Sequence, residues 1–388
     1  MRIAIVVPRY GEQILGGAES QARGFAEAAV QRGWEVEVWT TCARSHYTWE
    51  NVYPVGQEML NGVLIRRFPV TSWHPDRQAE LNLRMAAQGS LSVNDQYAWL
   101  ESGAHSIPLY QHMAQHAAEF DVVITLPYAM PLAHYAAWAA PERPERVVIW
   151  PCLHDEPFVY TEPVRLWIES VWGVMFNSPE ERDLALNSLQ MHPARCAVLG
   201  EGVALNLSAL PKQMDIRPDQ LLYVGRLEEG KNVLLLYEYV QRYFEEGNDV
   251  RLVVLGEGPS EPPLHPAFEY LGFVSEQEKA WAYASSLLLC QPSLNESFSL
   301  VVMESWLAGR PVLVHGECAV TRGHVQRSKG GLWFQTYEDF AGALDWFRSH
   351  LKLATRMGEN GKIYVLSNYK WETVLDRFEA IFRVWKGV

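Results

Sequence analysis

Residues 286–309 read SLLLCQPSLNESFSLVVMESWLAG, an apolar run followed by a polar loop and a second apolar run. The segment 286–290 predicts a buried parallel strand, because it is almost wholly apolar and ends in turn residues. A helix is expected from Ser299 onward, with free backbone N–H groups at its N-terminus that favour a phosphate. This order of strand, loop and helix is the building unit of an α/β sheet.

Two glutamates of this stretch are candidate ligand-binding residues. Glu296 lies in the loop, and Glu304 lies more than one turn inside the expected helix. One carboxylate can accept both hydroxyls of a ribose diol, whereas a loop carboxylate near a helix tip can bind sugar hydroxyls. The alternatives are that Glu296 caps the helix and that Glu304 faces solvent.

The same alternation of strands and helices runs through the whole chain. In the second half, apolar segments expected to form strands occur at 220–224, 249–255, 268–274 and 311–316. In the first half they occur at 2–7, 35–41, 62–70, 120–127 and 146–157. This pattern predicts doubly wound α/β sheets, because parallel strands need helical crossovers between them.

The chain of 388 residues is longer than one hydrophobic core usually organises, which favours two domains. The proline-bearing stretch Ala209–Gln220 is the expected linker. We therefore expect domains at 1–208 and 209–369, with a terminal helix at about 370–388 that packs back on the first. Ligands of such sheets bind where the carboxyl ends of strands meet, so a cleft between the domains is the expected site.

Three further segments carry candidate site residues at the ends of expected strands. Gly16 and Gly17 stand between a strand and a helix, where backbone N–H groups can approach an anion, although such pairs often only form the turn. Arg226 and Lys231 follow a strand and can neutralise a diphosphate, unless they belong to a solvated charged turn. His154 follows another strand and can donate to a substrate hydroxyl, or it caps the turn.

Composition excludes several classes of protein and site. The formal net charge of −13, with no lysine before Lys212, opposes binding to nucleic acid or to an anionic membrane surface. The five cysteines are scattered and lack CxxC spacing, which fits neither a disulfide framework nor a zinc site. The N-terminus lacks the features of a secretion signal, so we expect a cytoplasmic protein.

Taken together, these segments resemble the family-four retaining glycosyltransferases, whose pattern runs from a glycine loop through GR…K to E-x7-E. The resemblance covers nearly the whole chain and implies a GT-B fold, no metal requirement and a nucleotide-diphosphate sugar as donor, with UDP as the expected nucleotide. It assigns catalysis to His154, Glu296, Arg226 and Lys231. The residues that it assigns to donor binding are Gly16, Gly17, Arg226, Lys231, Val274, Ser297, Phe298, Ser299, Leu300, Val301 and Glu304.

The chain departs from the family pattern at two places. The family loop commonly reads E-G-F-G-L, whereas Ser297 and Ser299 replace the two glycines here. Serine can still cap a helix, but it tolerates a positive φ less readily than glycine. In Gly202-Val203-Ala204, alanine stands where the family often has an acid.

The expected activity is transfer of a hexose-type sugar to a glycan, a lipid-linked acceptor or a small molecule, with retention of anomeric configuration. The cations and the helix tip would stabilise the charge that grows on the leaving diphosphate, in place of a metal. A non-catalytic nucleotide-sugar or glycan-binding subunit with the same fold is the alternative. A sugar-nucleotide epimerase is disfavoured because E-x7-E and GR…K occur together, and a dehydrogenase because no GxGxxG follows the first strand.

Overall fold

The computed structural model of the protein describes residues 1–14, 16–140, 146–207 and 215–387. The chain divides into two compact units, of which unit 1 comprises Met1–Gly202 with Val374–Val388 and unit 2 comprises Val203–Thr373. Each unit has its own parallel-rich sheet, as the alternating sequence pattern predicts. The expected linker lies partly outside the described residues, at 209–214, and its last residues, 217–220, begin a strand instead.

The sheet of unit 1 is built from short apolar strands. They are β1 (Arg2–Val6), β2 (Glu35–Thr41), β3 (Gly56–Leu60), β4 (Val63–Phe68), β5 (Val122–Thr125), β6 (Val147–Ile149), β7 (Gly173–Phe176) and β8 (Cys196–Val198). Their order across the sheet is β3-β4-β2-β1-β5-β6-β7-β8. From β1 the chain adds strands towards one edge of the sheet, and from β5 it adds them towards the other. The crevice at the carboxyl ends of these two strands is therefore the switch point of this sheet.

The edge strand β3 was not expected from the sequence pattern. It pairs antiparallel with β4, whereas the other strands of this sheet are parallel to their neighbours. The turn between them is Asn61-Gly62, and both residues have positive φ, 50° and 83°. Asn-Gly is the typical sequence of a two-residue type I′ hairpin turn, so this dipeptide was the signal for the hairpin.

Helices flank the sheet of unit 1. They are α1 (Gly17–Gln31), α2 (Pro75–Gln88), α3 (Val93–Ser102), α4 (Ile107–His116), α5 (Pro131–Trp138), α6 (Glu162–Ser170) and α7 (Pro179–Asp183). The core between them and the sheet includes Trp39, Phe120, Trp167 and Phe176, all essentially inaccessible to solvent. Burial of such large side chains supplies most of the favourable free energy of folding.

The described sheet of unit 2 is parallel throughout. Its strands are β9 (Arg217–Val224), β10 (Arg251–Leu255), β11 (Phe268–Gly272), β12 (Ser286–Gln291), β13 (Val312–His315) and β14 (Gly331–Phe334). Their order, β11-β10-β9-β12-β13-β14, is the 3-2-1-4-5-6 order of dinucleotide-binding sheets. The switch point of this sheet therefore lies between β9 and β12, the strands that precede Arg226 and Glu296.

The helices of unit 2 alternate with these strands. They are α8 (Val233–Glu245), α9 (Glu276–Ser285), α10 (Leu300–Leu307), α11 (Ala319–Ser328), α12 (Tyr337–Ser349) and α13 (Leu351–Asn368). Trp306 of α10 is fully buried, and its indole N–H donates to the carbonyl of Gly330 at 2.9 Å. Within the described residues, no helix is both long enough and apolar enough to cross a membrane.

The last helix is α14 (Trp371–Lys386), and its residues from Val374 onward belong to unit 1. Phe378 packs edge-on against Phe25 of α1, with ring centroids 5.1 Å apart. Arg32, which follows α1, makes ion pairs with Asp376 at 2.6 Å and with Glu379 at 2.9 Å. An amphipathic helix thus covers the outer face of α1 with both apolar and charged contacts.

Two glycines inside helices of unit 2 give a matched test of packing. A Cβ at Gly358 of α13 would lie 2.1 Å from the carbonyl oxygen of Gly309, whereas a Cβ at Gly342 of α12 would meet nothing within 4 Å. Gly358→Ala should therefore destabilise the protein by about 1–3 kcal/mol, because two backbones must separate. Gly342→Ala should stabilise it by about 0.4–1 kcal/mol. Urea denaturation of both variants measures the difference, and equal midpoints would contradict this packing.

Candidate functional site

The loops after β9 and β10 touch through their backbones at glycine positions. A Cβ at Gly256 would lie 1.9 Å from the carbonyl oxygen of Gly225, and a Cβ at Gly258 would lie 2.3 Å from that of Leu227. Gly256 also has φ of +129°, a conformation that residues with a side chain rarely adopt. This close approach fixes the course of the loop that carries Arg226.

Arg226 lies at the carboxyl end of β9, as expected, and its side chain is 48% exposed. Its guanidinium pairs with Glu228 at 3.0 Å, and its carbonyl accepts a hydrogen bond from the Tyr223 hydroxyl at 2.8 Å. Burial, followed by the charge of Glu296, raises the pKa of Tyr223 well above its ordinary value. Arg226 is therefore held by its backbone, while its guanidinium faces solvent beside an acid.

Lys231 and Glu296 are brought together by the structure. The ammonium of Lys231 lies 2.8 Å from Glu296 Oε1, and the two side chains are only 17% and 9% exposed. Gln291, the last residue of β12, donates to the same oxygen at 3.2 Å. Asn232, next to Lys231, donates to the carbonyl of Pro292 at 3.1 Å, so a second bond joins the two loops. Glu296 is thus partnered by a cation from the neighbouring loop.

The loop that leads into α10 combines buried and strained residues. Phe298 is 1% exposed and packs edge-on against Tyr369 and His324, so only its backbone can contact a ligand. Leu300 and Val301 pack against the apolar cluster that contains Phe298 and Tyr369. Ser299 has φ of +75° and ψ of +79°, and its side chain makes no capping bond, contrary to the expectation for a serine at this position.

Three buried side-chain oxygens at this end of β12 lack a hydrogen-bond partner among the described residues. They are Gln291 Oε1, Ser293 Oγ and Ser299 Oγ, and each residue is 6% exposed or less. Buried polar atoms are nearly always hydrogen-bonded in proteins, so a group of unpartnered ones indicates the place of a bound water or ligand. Gln291 ends β12, Ser293 lies in the loop that follows it, and Ser299 is the N-cap of α10, whose N–H groups favour an anion.

Glu304 is half-buried rather than solvent-facing, with 13% of its side chain exposed. One carboxylate oxygen lies 3.0 Å from the ammonium of Lys279, and the other accepts a hydrogen bond from Tyr283 at 2.8 Å. The two glutamates of the motif thus have separate partners. Lys279 and Tyr283 were not identified from the sequence, although their spacing of four residues in an expected helix places them on one face.

Val274 follows the turn after β11, in which Gly272 has φ of +65°. The half-buried side chain of Val274 packs against the apolar cluster that contains Phe298 and Tyr369. Phe273, by contrast, is 62% exposed. The turn therefore presents its backbone and one exposed aromatic ring to solvent, and Val274 itself can contribute only main-chain groups to a ligand.

Gly16 and Gly17 begin α1 in unit 1. A Cβ at Gly16 would lie 2.1 Å from Glu19 Oε2, whereas a Cβ at Gly17 would meet nothing within 4 Å. Glu19 forms an ion pair with Arg9 at 2.5 Å, and both side chains are 10% exposed or less. Glycine at position 16 is thus explained by packing against a buried carboxylate, while the space beside Gly17 is open to a ligand.

His154 follows β6 in unit 1, as expected, and its side chain is 30% exposed. Its Nδ1 lies 4.0 Å from Glu156 Oε1, and Tyr128 donates a hydrogen bond to that same carboxylate. The loop is anchored by buried Glu181, which accepts the N–H of Leu153 at 2.7 Å. Burial, which outweighs its backbone donors, raises the pKa of Glu181 to about 8.

The described residues contain no group of three or more His, Cys, Asp or Glu side chains placed to hold a metal ion. Lys231 and Arg226 follow β9, and the N-terminus of α10 follows β12, the strand beside it. This arrangement can bind a diphosphate at the switch point of the sheet.

The two serine replacements in the loop are predicted to differ in their effect on stability. Only Ser299 has a positive φ, and its hydroxyl is buried without a partner among the described residues. Ser299→Gly should therefore stabilise the protein by about 1 kcal/mol through relief of backbone strain. The matched variant Ser297→Gly should give no gain, because glycine adds only freedom to the unfolded chain. Thermal and urea unfolding measure both, and a larger gain for Ser297→Gly would contradict this.

Comparisons with known proteins agree with this architecture. The family model described as glycosyl transferases group 1 matches residues 211–364. An uncharacterised glycosyltransferase of Methanocaldococcus jannaschii is 21% identical and covers 99% of this chain and 98% of its own length. Other curated relatives match over 27% to 56% of the chain.

Solved structures match over the whole chain. Sucrose-phosphate synthase from Thermosynechococcus elongatus superposes with a TM-score of 0.71 at 16% identity, over 100% of this chain and 99% of its own. HepE from Anabaena, in complex with UDP-glucose, has a TM-score of 0.65 at 14% identity over 100% of both chains. At these identities the structures show the fold, which confirms the expected GT-B architecture of two Rossmann-like units. Together with the family match and the curated relatives, this makes the chain a glycosyltransferase of the GT-B superfamily.

Proposed function

We propose that this glycosyltransferase transfers a hexose-type sugar from a nucleotide-diphosphate donor, with retention of anomeric configuration and without a metal. The observation that carries the proposal is the partly buried pair of Lys231 and Glu296 at the switch point of unit 2. It joins the loops after β9 and β12, beside unpartnered oxygens at the N-terminus of α10. Ligands of open α/β sheets bind at this position.

Three groups in this region can donate hydrogen bonds to the oxygens of a diphosphate. Lys231 has three N–H donors and uses one on Glu296, so the others can reach phosphate oxygens. Arg226 has an exposed guanidinium whose planar fork suits a phosphate. The N-terminus of α10 adds backbone donors. Donors held in place before the reaction stabilise the negative charge that grows on the leaving diphosphate, which lowers the barrier to transfer.

The two glutamates are assigned to different parts of the donor. Each carboxylate oxygen of Glu304 accepts one hydrogen bond within the protein and can accept another. Two such oxygens suit the two hydroxyls of a ribose. Glu296, held by Lys231 and Gln291, lies next to the cations and is assigned to hydroxyls of the transferred sugar. The backbone at Val274 is assigned to the base.

Unit 1 is assigned to the acceptor, which we propose is a glycan, a lipid-linked acceptor or a small molecule. His154 is assigned to the transferred sugar, because it is partly exposed and has a carboxylate beside it, Glu156. The open space at Gly17 admits a ligand close to the start of α1. The resemblance to the family-four retaining enzymes supports these roles and the retention of configuration.

UDP is the proposed nucleotide, since a protein of the same fold, HepE, was solved with UDP-glucose. The alternative of a non-catalytic subunit is not favoured. The curated relatives are described as glycosyltransferases or synthases, and the charged residues of the expected diphosphate site are present. Ser297 and Ser299 alter the loop but remove no charged group from it.

Transfer of sugar should survive removal of divalent metals. Arg226 and Lys231 supply the positive charge that other glycosyltransferases obtain from a metal ion, so EDTA should leave the rate within about twofold of its starting value. The measurement is release of the nucleoside diphosphate from UDP-sugars, with and without EDTA. Activity that disappears in EDTA and returns only with Mg²⁺ or Mn²⁺ would show that the cations do not replace a metal.

Replacement of the two glutamates should separate binding from transfer. Glu304→Ala should weaken UDP and UDP-sugar alike by about 1.5–3 kcal/mol, because both ligands contain the ribose. Glu296→Ala should leave UDP affinity nearly unchanged and lower kcat, because its partner hydroxyls are on the sugar and matter most as the glycosidic bond breaks. Calorimetry and steady-state kinetics measure the two effects.

The control for this comparison is Glu245→Ala, which removes an exposed carboxylate at the end of α8. It should change neither binding nor rate. If Glu304→Ala bound UDP as tightly as the parent, the assignment of the ribose to Glu304 would be wrong. If both glutamate variants lost UDP equally, the division of roles between them would be wrong.

A further inference from the structure

The carboxylate of Glu304 is held on both sides by one neighbouring helix. Lys279 and Tyr283 lie one turn apart on α9, and both point at Glu304 of α10. The ammonium lies 3.0 Å from Oε1, and the phenol hydroxyl lies 2.8 Å from Oε2. Each carboxylate oxygen therefore has a fixed donor, which restricts rotation of the carboxylate plane about the last side-chain bond.

The surroundings of these contacts exclude most of the solvent. The side chain of Lys279 is 19% exposed, and Tyr283 is buried. Burial lowers the pKa of Lys279, but the charges of Glu304 and Glu276 outweigh this and raise it above its ordinary value. Burial, followed by the charge of Glu304, also raises the pKa of Tyr283. Lys279 thus remains a cation and Tyr283 a hydrogen-bond donor at neutral pH.

We propose that Lys279 and Tyr283 are positioning residues that orient Glu304 for the 2′ and 3′ hydroxyls of the donor ribose, and so set the preference of the enzyme for ribonucleotides. The inference rests on the proposed function, in which Glu304 binds the ribose. Each oxygen of a carboxylate can accept two hydrogen bonds, and α9 occupies one on each oxygen. One acceptor position on each oxygen is left, and the two adjacent hydroxyls of a diol can donate to two oxygens of one carboxylate.

The contacts of Lys279 and Tyr283 with Glu304 should affect which nucleotide the enzyme prefers, and not only the stability of the folded protein. A carboxylate that is already oriented loses little freedom when the diol binds, so affinity for the diol increases. A nucleotide without the hydroxyls leaves the remaining acceptor positions of Glu304 unpaired in a partly buried place, which is costly. If Lys279 and Tyr283 only joined α9 to α10, their loss would lower the melting temperature without changing the discrimination between the two kinds of nucleotide.

The test compares UDP with 2′,3′-dideoxy-UDP by calorimetry. The parent should bind UDP on the order of tenfold or more tightly than the dideoxy nucleotide. Lys279→Met, which keeps the apolar stem, and Tyr283→Phe, which keeps the ring, should each weaken UDP by about three- to tenfold. Neither should weaken the dideoxy nucleotide, so the ratio of the two affinities should fall towards one. Lys279→Arg should restore part of the ratio, because it keeps the charge.

Glu276→Gln is the matched control. The carboxylate of Glu276 is 77% exposed and lies 2.9 Å from the ammonium of Lys279. Because it does not contact Glu304, this variant should keep the parental ratio of the affinities for UDP and the dideoxy nucleotide. The double variant Lys279→Met with Glu304→Ala should match Glu304→Ala alone, since Lys279 acts through Glu304. If Lys279→Met weakened both nucleotides equally, or neither, the positioning role would be overturned. If the parent bound neither UDP, ADP nor GDP, the proposed function itself would be overturned.

Discussion

The parallel pairing of β9 with β12 decides which loops of unit 2 meet at the carboxyl edge of its sheet. Leu222 pairs with Leu289 in this register, so both strands end at the same edge of the sheet. Crossovers leave these two strands in opposite directions, which makes the crevice at their carboxyl ends the switch point of the sheet. The loops with Lys231 and Glu296 meet there, although 65 residues separate them in sequence. Without this register, the cation and the carboxylate would not be neighbours.

Glycine is what allows the loops at this edge to pack closely. Gly256 lies against the backbone of Gly225 with no room for a Cβ, and Gly16 of unit 1 lies against the carboxylate of Glu19. Ser299 adopts a positive φ at the start of α10 without being glycine, as Asn232 does at the start of α8. Backbone strain of this kind persists only where surrounding packing enforces it, and the buried Phe298 beside Ser299 provides such packing.

Three buried or partly buried carboxylates, one in unit 1 and two in unit 2, share a physical requirement. A charge that is removed from water needs an opposite charge and hydrogen bonds to offset the lost hydration. Glu296 has Lys231, Glu304 has Lys279, and Glu19 has Arg9. In each case the partner also limits how the carboxylate can turn. The contacts that make these charges tolerable in the folded protein therefore also fix the orientation of each carboxylate.

The sequence by itself determined the doubly wound α/β class and the strand, loop and helix around Glu296 and Glu304, because periodic apolar runs and turn residues are local signals. The GT-B fold followed from the resemblance of its motifs to a known family. It did not indicate which residues partner these glutamates. Lys279 and Tyr283 come from another helix, and only the packing of α9 against α10 brings them to Glu304. Likewise, the sequence identified two serines in place of glycine, but only the folded backbone shows that the strain falls on Ser299. Contacts and backbone angles of this kind depend on residues distant in sequence, so tertiary structure alone decides them.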